Sequence, residues 1–123
     1  MIRIELPLRT TRGLNDRMHW SRRARLTKHQ RATVAMITRT HMAKAGMSRA
    51  SCISQMDGWN ATVTLTRLSA GTLDDDNLQG SLKACRDGVA DALEVADNDY
   101  RVRWLYVQEK CKRGAYGIRV EIA

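Results

Sequence analysis

Residues 59–83 read WNATVTLTRLSAGTLDDDNLQGSLK, and a change of periodicity inside this stretch sets the fold class. Ala61, Val63 and Leu65 alternate with Thr62, Thr64 and Thr66, the two-residue period of a β-branched strand. Further on, Leu78, Leu82, Cys85, Val89 and Leu93 fall on one face of a helix. Gly88 does not break that phase, so the spacing predicts one helix over about residues 77–93. Between strand and helix stand Asp74, Asp75 and Asp76.

The same patterns continue on both sides. Ile2, Ile4 and Leu6 alternate with Arg3 and Glu5 as a half-buried strand, which Pro7 ends. An aperiodic loop follows, expected to expose Arg9, Arg12 and Arg17. Ser21 is placed to cap a helix running to Gly46, with Arg22, Arg23, Arg25, Lys28 and Arg31 in its first turns. Its later turns are rich in Ala, Met and Ile, so that end is expected to pack. The segments RVRWLYVQEK and YGIRVEIA read as strands joined in a hairpin with Gly114 in the turn. The order β-α-β-α-β-β predicts a single α+β domain over residues 1–123, with a four-stranded mixed sheet and two main helices.

Composition narrows the functional classes. The 123 residues carry a formal net charge of +8, unevenly spread. Residues 1–56 hold twelve Lys/Arg against two acids; residues 57–100 hold three against nine; residues 101–123 hold six against two. A basic first half suits a polyanionic partner, because each phosphate contact releases counterions. No apolar run approaches the ~20 residues of a membrane span and no signal-peptide core opens the chain, so a cytoplasmic location without membrane contact is expected. Cys52, Cys85 and Cys111 are widely spaced and read as reduced, packed thiols. His19, His29 and His41 lack ligand spacing, and no nucleophile-elbow, Walker or Rossmann loop is present. Trp20, Trp59 and Trp104 are expected in the core, Trp104 foremost.

Three adjacent aspartates need a reason. At the end of an extended segment Asp74 and Asp76 project to one side and Asp75 to the other. One Asp serves as a helix cap. A second carboxylate on the same side repels the first unless a cation sits between them. Mg²⁺, with Mn²⁺ as a substitute, is held by one or two carboxylates plus waters and phosphate oxygens, and beside a basic surface it suits phosphodiester chemistry. An EF-hand does not fit, because Leu78 occupies a ligand position.

The run Asp74 to Gln79, followed by Lys83-Ala84-Cys85-Arg86-Asp87 and then Asp97, resembles the RusA family of Holliday-junction resolvases. Those enzymes carry Asp-x-Asp-Asn at a helix start, a lysine on the helix and a later aspartate. The resemblance implies a small homodimeric, Mg²⁺-dependent endodeoxyribonuclease acting on branched DNA in recombination and repair, often borne by phages. It implies Asp74, Asp76 and Asp97 as metal ligands and Lys83 as the phosphate-neutralising cation. Arg22, Arg23, Arg25 and Lys28, with the loop arginines Arg9, Arg12 and Arg17, would hold the DNA backbone. The family lysine follows the second aspartate by four residues, where this chain has Gly80. A protein of the same fold that binds DNA without cutting it is the alternative.

Asp97 raises a question of reach. A helix over 77–93 is roughly 25 Å long, and the residues between its end and Asp97 span at most about 13 Å. On that arithmetic Asp97 completes the site of a second copy. Gly80, Ala84 and Gly88, at four-residue spacing, would let two such helices cross, or would pack on the sheet.

Overall fold

The computed structural model describes residues 2–10, 17, 19–46 and 58–123. Arg12, Asn15, Asp16 and Cys52 lie outside the described residues. The elements follow the expected order: β1 (Ile2–Leu6), α1 (Trp20–Lys44), β2 (Ala61–Ser69), α2 (Asp75–Leu93), β3 (Val102–Lys110) and β4 (Gly117–Ile122). The architecture is α+β, with two helices and a four-stranded mixed sheet.

The sheet order is β1-β4-β2-β3, and here the expected hairpin fails. β3 runs parallel to β2, whereas β4 lies antiparallel between β1 and β2. The segment after β3 therefore crosses the end of β2 before β4 begins. Burial explains the preference. The alternate residues Ile118, Val120 and Ile122 are sealed, which suits an interior strand, while β3 shows an exposed residue at every second position from Arg103 to Glu109. Gly114 keeps its place in the turn with φ +94°, a conformation glycine adopts without steric cost.

Both helices cover one face of the sheet. Ile2, Ile4, Leu6, Val63, Leu65, Val120 and Ile122 meet Leu78, Leu82, Cys85 and Val89 of α2 and Val34 and Met42 of α1 in one continuous core. Burial pushes the Cys85 thiol up to about 12, which leaves it an inert apolar group. The sheet's other face is closed by charge: Arg119 on β4 reaches Glu5 on β1 at 3.3 Å and Glu109 on β3 at 3.0 Å. Trp104 is half-buried at the core margin under the Arg86 guanidinium, and Trp59 is half-buried beneath Arg101. Trp20 stands 76% exposed, contrary to expectation.

The helices also grip one another. A Cβ on Gly88 would lie 2.6 Å from the Arg31 carbonyl oxygen and 2.9 Å from Val34 Cβ, so α1 of the same chain already occupies the Gly88 end of the small-residue strip. Neither the helix crossing with a second copy nor packing on the sheet describes Gly88. Beside it, Arg31 grips Asp91 with both arms, Nε to Oδ2 at 2.7 Å and Nη2 to Oδ1 at 2.8 Å.

These pairs set an acid limit. The hydrogen bond from Arg31 holds the Asp91 carboxyl below its ordinary range, and the hydrogen bonds from Arg101 lower Asp99 to about 2. A depressed carboxyl contributes stability above its unfolded pKa near ~4 and loses it as pH falls through the folded value. The urea midpoint should therefore drop between about pH 4 and pH 2. Asp91→Asn should be less stable at pH 6 and show a shallower acid slope; a slope as steep as wild type would remove Asp91 from the account.

Candidate active-site cleft

α2 begins two residues earlier than its apolar pattern suggests, because Asp74 caps it. Asp74 Oδ1 accepts from the Asn77 backbone N–H at 2.9 Å and from Asn77 Nδ2 at 2.8 Å. Both cap bonds fall on one oxygen, so the cap uses half of the carboxylate. Asp75 and Asp76 lie inside the first helical turn, where negative charge suits the positive end of the helix dipole. The strand-like alternation expected of Asp74 to Asp76 thus ends at Asp74, which keeps an extended backbone as the cap, while Asp75 and Asp76 are helical.

Asp76 opens onto a cleft of about 350 Å³ lined also by Gln79, Gly80, Lys83, Arg86, Asp97 and Tyr106. Asp97 therefore reaches a cavity that holds Asp76 of its own chain. The helix is unbroken, as expected, but the reach argument overlooked how sharply the chain reverses. Glu94 takes the left-handed conformation, φ 58° and ψ 42°, and ends α2. The chain then folds back along the last turns of α2, with Val95 N–H on the Ala90 carbonyl, far enough to bring Asp97 Oδ2 within 3.8 Å of Lys83 Nζ. Arg86 fixes the return: it donates to the Asp97 carbonyl, gives Tyr106 Oη a bond at 2.7 Å and stacks on Trp104 at 4.8 Å.

Lys83 sits between the acids. Its Nζ lies 3.4 Å from Asp87 Oδ1 and 3.8 Å from Asp97 Oδ2. Seven residues of helix, roughly 10 Å of rise, separate it from Asp76. The three aspartates thus do not share one coordination shell, and among the described residues no three metal-ligating side chains converge. Of Asp74 and Asp76, only Asp76 lines this cleft, and the described residues form no three-carboxylate cage.

The basic end of α1 adjoins this cleft. Lys83, Asp87, Asp97 and Arg31 line a second hollow, and Arg31 and Asp87 also border a groove formed by Trp20, Arg23, Ala24, Thr27 and Lys28. Acid cleft and basic groove are thereby neighbours, linked through shared wall residues. Arg17, Arg22, Arg25 and Lys28 are exposed, while Arg31 is committed to Asp91. α1 itself is capped by His19, whose Nδ1 accepts from the Ser21 N–H at 3.2 Å, two residues ahead of the expected cap. Arg9 lies elsewhere, its guanidinium 4.5 Å from the Tyr116 ring centroid.

Two functional candidates escaped the sequence analysis. Arg86 stood inside the motif without a role, and only the return of Asp97 gives it one. Arg67 carried a legible signal: it continues the core-facing series Ala61, Val63, Leu65, where a charge is out of place.

No described protein family matches the chain, and no solved structure matches it. The chain is 34% identical over 88 residues to an uncharacterized protein of Xylella fastidiosa (strain Temecula1 / ATCC 700964), a match covering 70% of this chain and 53% of that protein. The chain thus spans about half the length of that relative.

Proposed function

We propose that the protein is a metal-dependent, structure-selective endodeoxyribonuclease that cleaves branched DNA, Holliday junctions included, in the cytoplasm during recombination and repair. The observation that carries this reading is the adjacency of the Asp76–Lys83–Asp97 cleft to the basic groove of α1 through shared wall residues. Asp74 and Asp76 would hold Mg²⁺ or Mn²⁺, which when bound polarises a phosphodiester and makes a water nucleophilic. Lys83 meets a phosphate oxygen once it leaves Asp97 and Asp87, and Asp97 orients it until then. Arg22, Arg23, Arg25 and Lys28 hold the backbone without reading bases, and Trp20 offers a stacking face to an unpaired base. The test is incubation with a four-way junction and with linear duplex, with and without Mg²⁺. Metal-dependent cutting of the junction alone supports the reading; metal-independent cutting overturns it.

A second reading is a DNA-binding protein of the same fold that does not cut. It is favoured by the absence of a three-carboxylate cluster among the described residues and by Gly80 at the family's lysine position. Tight junction binding without cleavage under any divalent metal would select it.

With the Gly88 end of the α2 strip seated on α1, the homodimer passes to the free edge of β3. Ala61 N–H donates to the Arg101 carbonyl at 2.9 Å and Cys111 N–H to the Ser69 carbonyl at 3.0 Å. Odd-numbered residues of β3 therefore aim their backbone groups at β2, and even-numbered ones aim outward. Antiparallel pairing about Tyr106 sets Trp104 against Gln108 of a second copy, even against even, along the whole strand. On the open face the same register sets Arg103 against Glu109, and Leu105, 36% exposed, against Val107, 40% exposed. The opposite edge, β1, is shorter and exposes no large apolar side chain. Leu105→Lys should give a monomer by light scattering, and Glu109→Arg should weaken the dimer. Arg103→Glu combined with Glu109→Arg should restore it; a wild-type monomer at all concentrations ends the idea.

A further inference from the structure

Arg67 is an anomaly in its own strand. Only 8% exposed, it stands where β2 otherwise turns apolar side chains inward. Its Nε donates to Thr10 Oγ1 at 3.0 Å and its Nη1 to the Gly71 carbonyl at 3.1 Å. Both acceptors are neutral. Among the described residues no carboxylate pairs with the guanidinium, and Nη2 has no partner. Burial pushes its pKa down, with Cys111 opposing and Arg9 reinforcing the shift. A charge taken from water is tolerated when it is paired, and half of this pair is missing.

The space beside it suits the missing half. Arg67 lines a cavity of about 360 Å³ with Arg9, Thr10, Ser69, Thr72 and Tyr116, and among the described residues no acidic one borders it. Arg9 rests on Tyr116, a contact worth little at an exposed site and readily exchanged for an anion. Two guanidiniums offer forked donors and two positive charges, and the four hydroxyl residues Thr10, Ser69, Thr72 and Tyr116 add neutral donors around them. That set matches a tetrahedral dianion better than a single carboxylate.

We propose that this cavity binds a phosphate group, with Arg67 as the fixed fork at its base and Arg9 as the movable fork at its mouth. The site is separate from the Asp76 cleft and does not rest on the nuclease reading. The phosphate comes either from a nucleic-acid backbone or from a free phosphate or phosphomonoester.

Thermal unfolding in inorganic phosphate against chloride at equal ionic strength tests this. Wild-type protein should show a saturable rise in melting temperature with phosphate. Arg67→Met should lose that increment, its half-saturation weakened at least about tenfold, because a charge-assisted fork is removed. Arg9→Gln, at the exposed mouth, should fold normally and show a reduced increment; if Arg67→Met does not fold, this variant decides. A wild-type protein without an increment, or an increment intact in Arg9→Gln and in any folded Arg67→Met, overturns the proposal. Repeating the titration with saturating duplex DNA separates the sources. DNA that abolishes the phosphate increment assigns the cavity to the backbone, and an increment surviving beside bound DNA assigns it to a small phosphate.

Discussion

Gly88→Ala should unfold at a clearly lower urea concentration than wild type, by an amount equivalent to about 1–3 kcal/mol. The sign is the informative part. In an exposed helix interior the same change gains about 1 kcal/mol, because alanine is the better helix former. At Gly88 the new methyl carbon would stand 2.6 Å from the Arg31 carbonyl oxygen and 2.9 Å from Val34 Cβ. Neither obstacle is the end of a flexible side chain, so the two helices must separate. Separation strips packing from Val34 and stretches the Arg31–Asp91 fork. It also shifts the basic groove against the cleft, so DNA binding should fall with stability. Gly88→Val, wider and β-branched, should be worse again. An alanine variant as stable as wild type would mean that α1 does not seat on α2 there.

Asp76→Asn should lower junction cleavage by at least about a hundredfold, if the first turn of α2 holds the ion. Binding should stay equal or tighten, because a negative charge facing the DNA is removed. Loss of cleavage has to be separated from loss of fold, and Asp74 allows this. Asparagine caps a helix about as well as aspartate, whereas alanine costs about 1 kcal/mol. Asp74→Asn should therefore melt near wild type yet cut poorly, while Asp74→Ala should lose both. Lys83→Met should cut poorly too, and it should release Asp97. Cleavage at the wild-type rate in both Asp74→Asn and Asp76→Asn would rule out these carboxylates as the metal site.

Much of the frame was legible locally. The alternations at Ile2–Leu6 and Ala61–Leu65 fixed two strands and their buried faces, and the series Leu78 to Leu93 gave α2 and its inward side. What escaped was non-local. Whether β4 pairs with β3 or slips between β1 and β2 depends on which strand most needs burial on both flanks, and turn residues do not report that. The first turn of α2 was hidden because Asp75 and Asp76 carry no apolar period, only dipole-compatible charge. Asp97 was misplaced because a length estimate has no direction: one left-handed residue at Glu94 turned the chain back. Trp20 was expected in the core because a lone aromatic is usually buried, yet its neighbours Arg22, Arg23 and Arg25 were already marking a solvated surface.

The place of β4 also imposes an order in time. Ile2 pairs with Ile122 and Leu6 with Ile118, contacts that join nearly opposite ends of the chain. β2, α2 and β3 are close in sequence and can collapse first on their own apolar face. β1, although made earliest, has no strand beside it until β4 arrives. For most of synthesis its Ile2, Ile4 and Leu6 have no sheet to join, while one flank of β2 stands open. Closing such long loops is entropically slower than forming the local contacts of β2, α2 and β3. In that interval the unfilled slot between β1 and β2 fits any extended apolar segment, which makes a late or damaged β4 the step most exposed to misassembly.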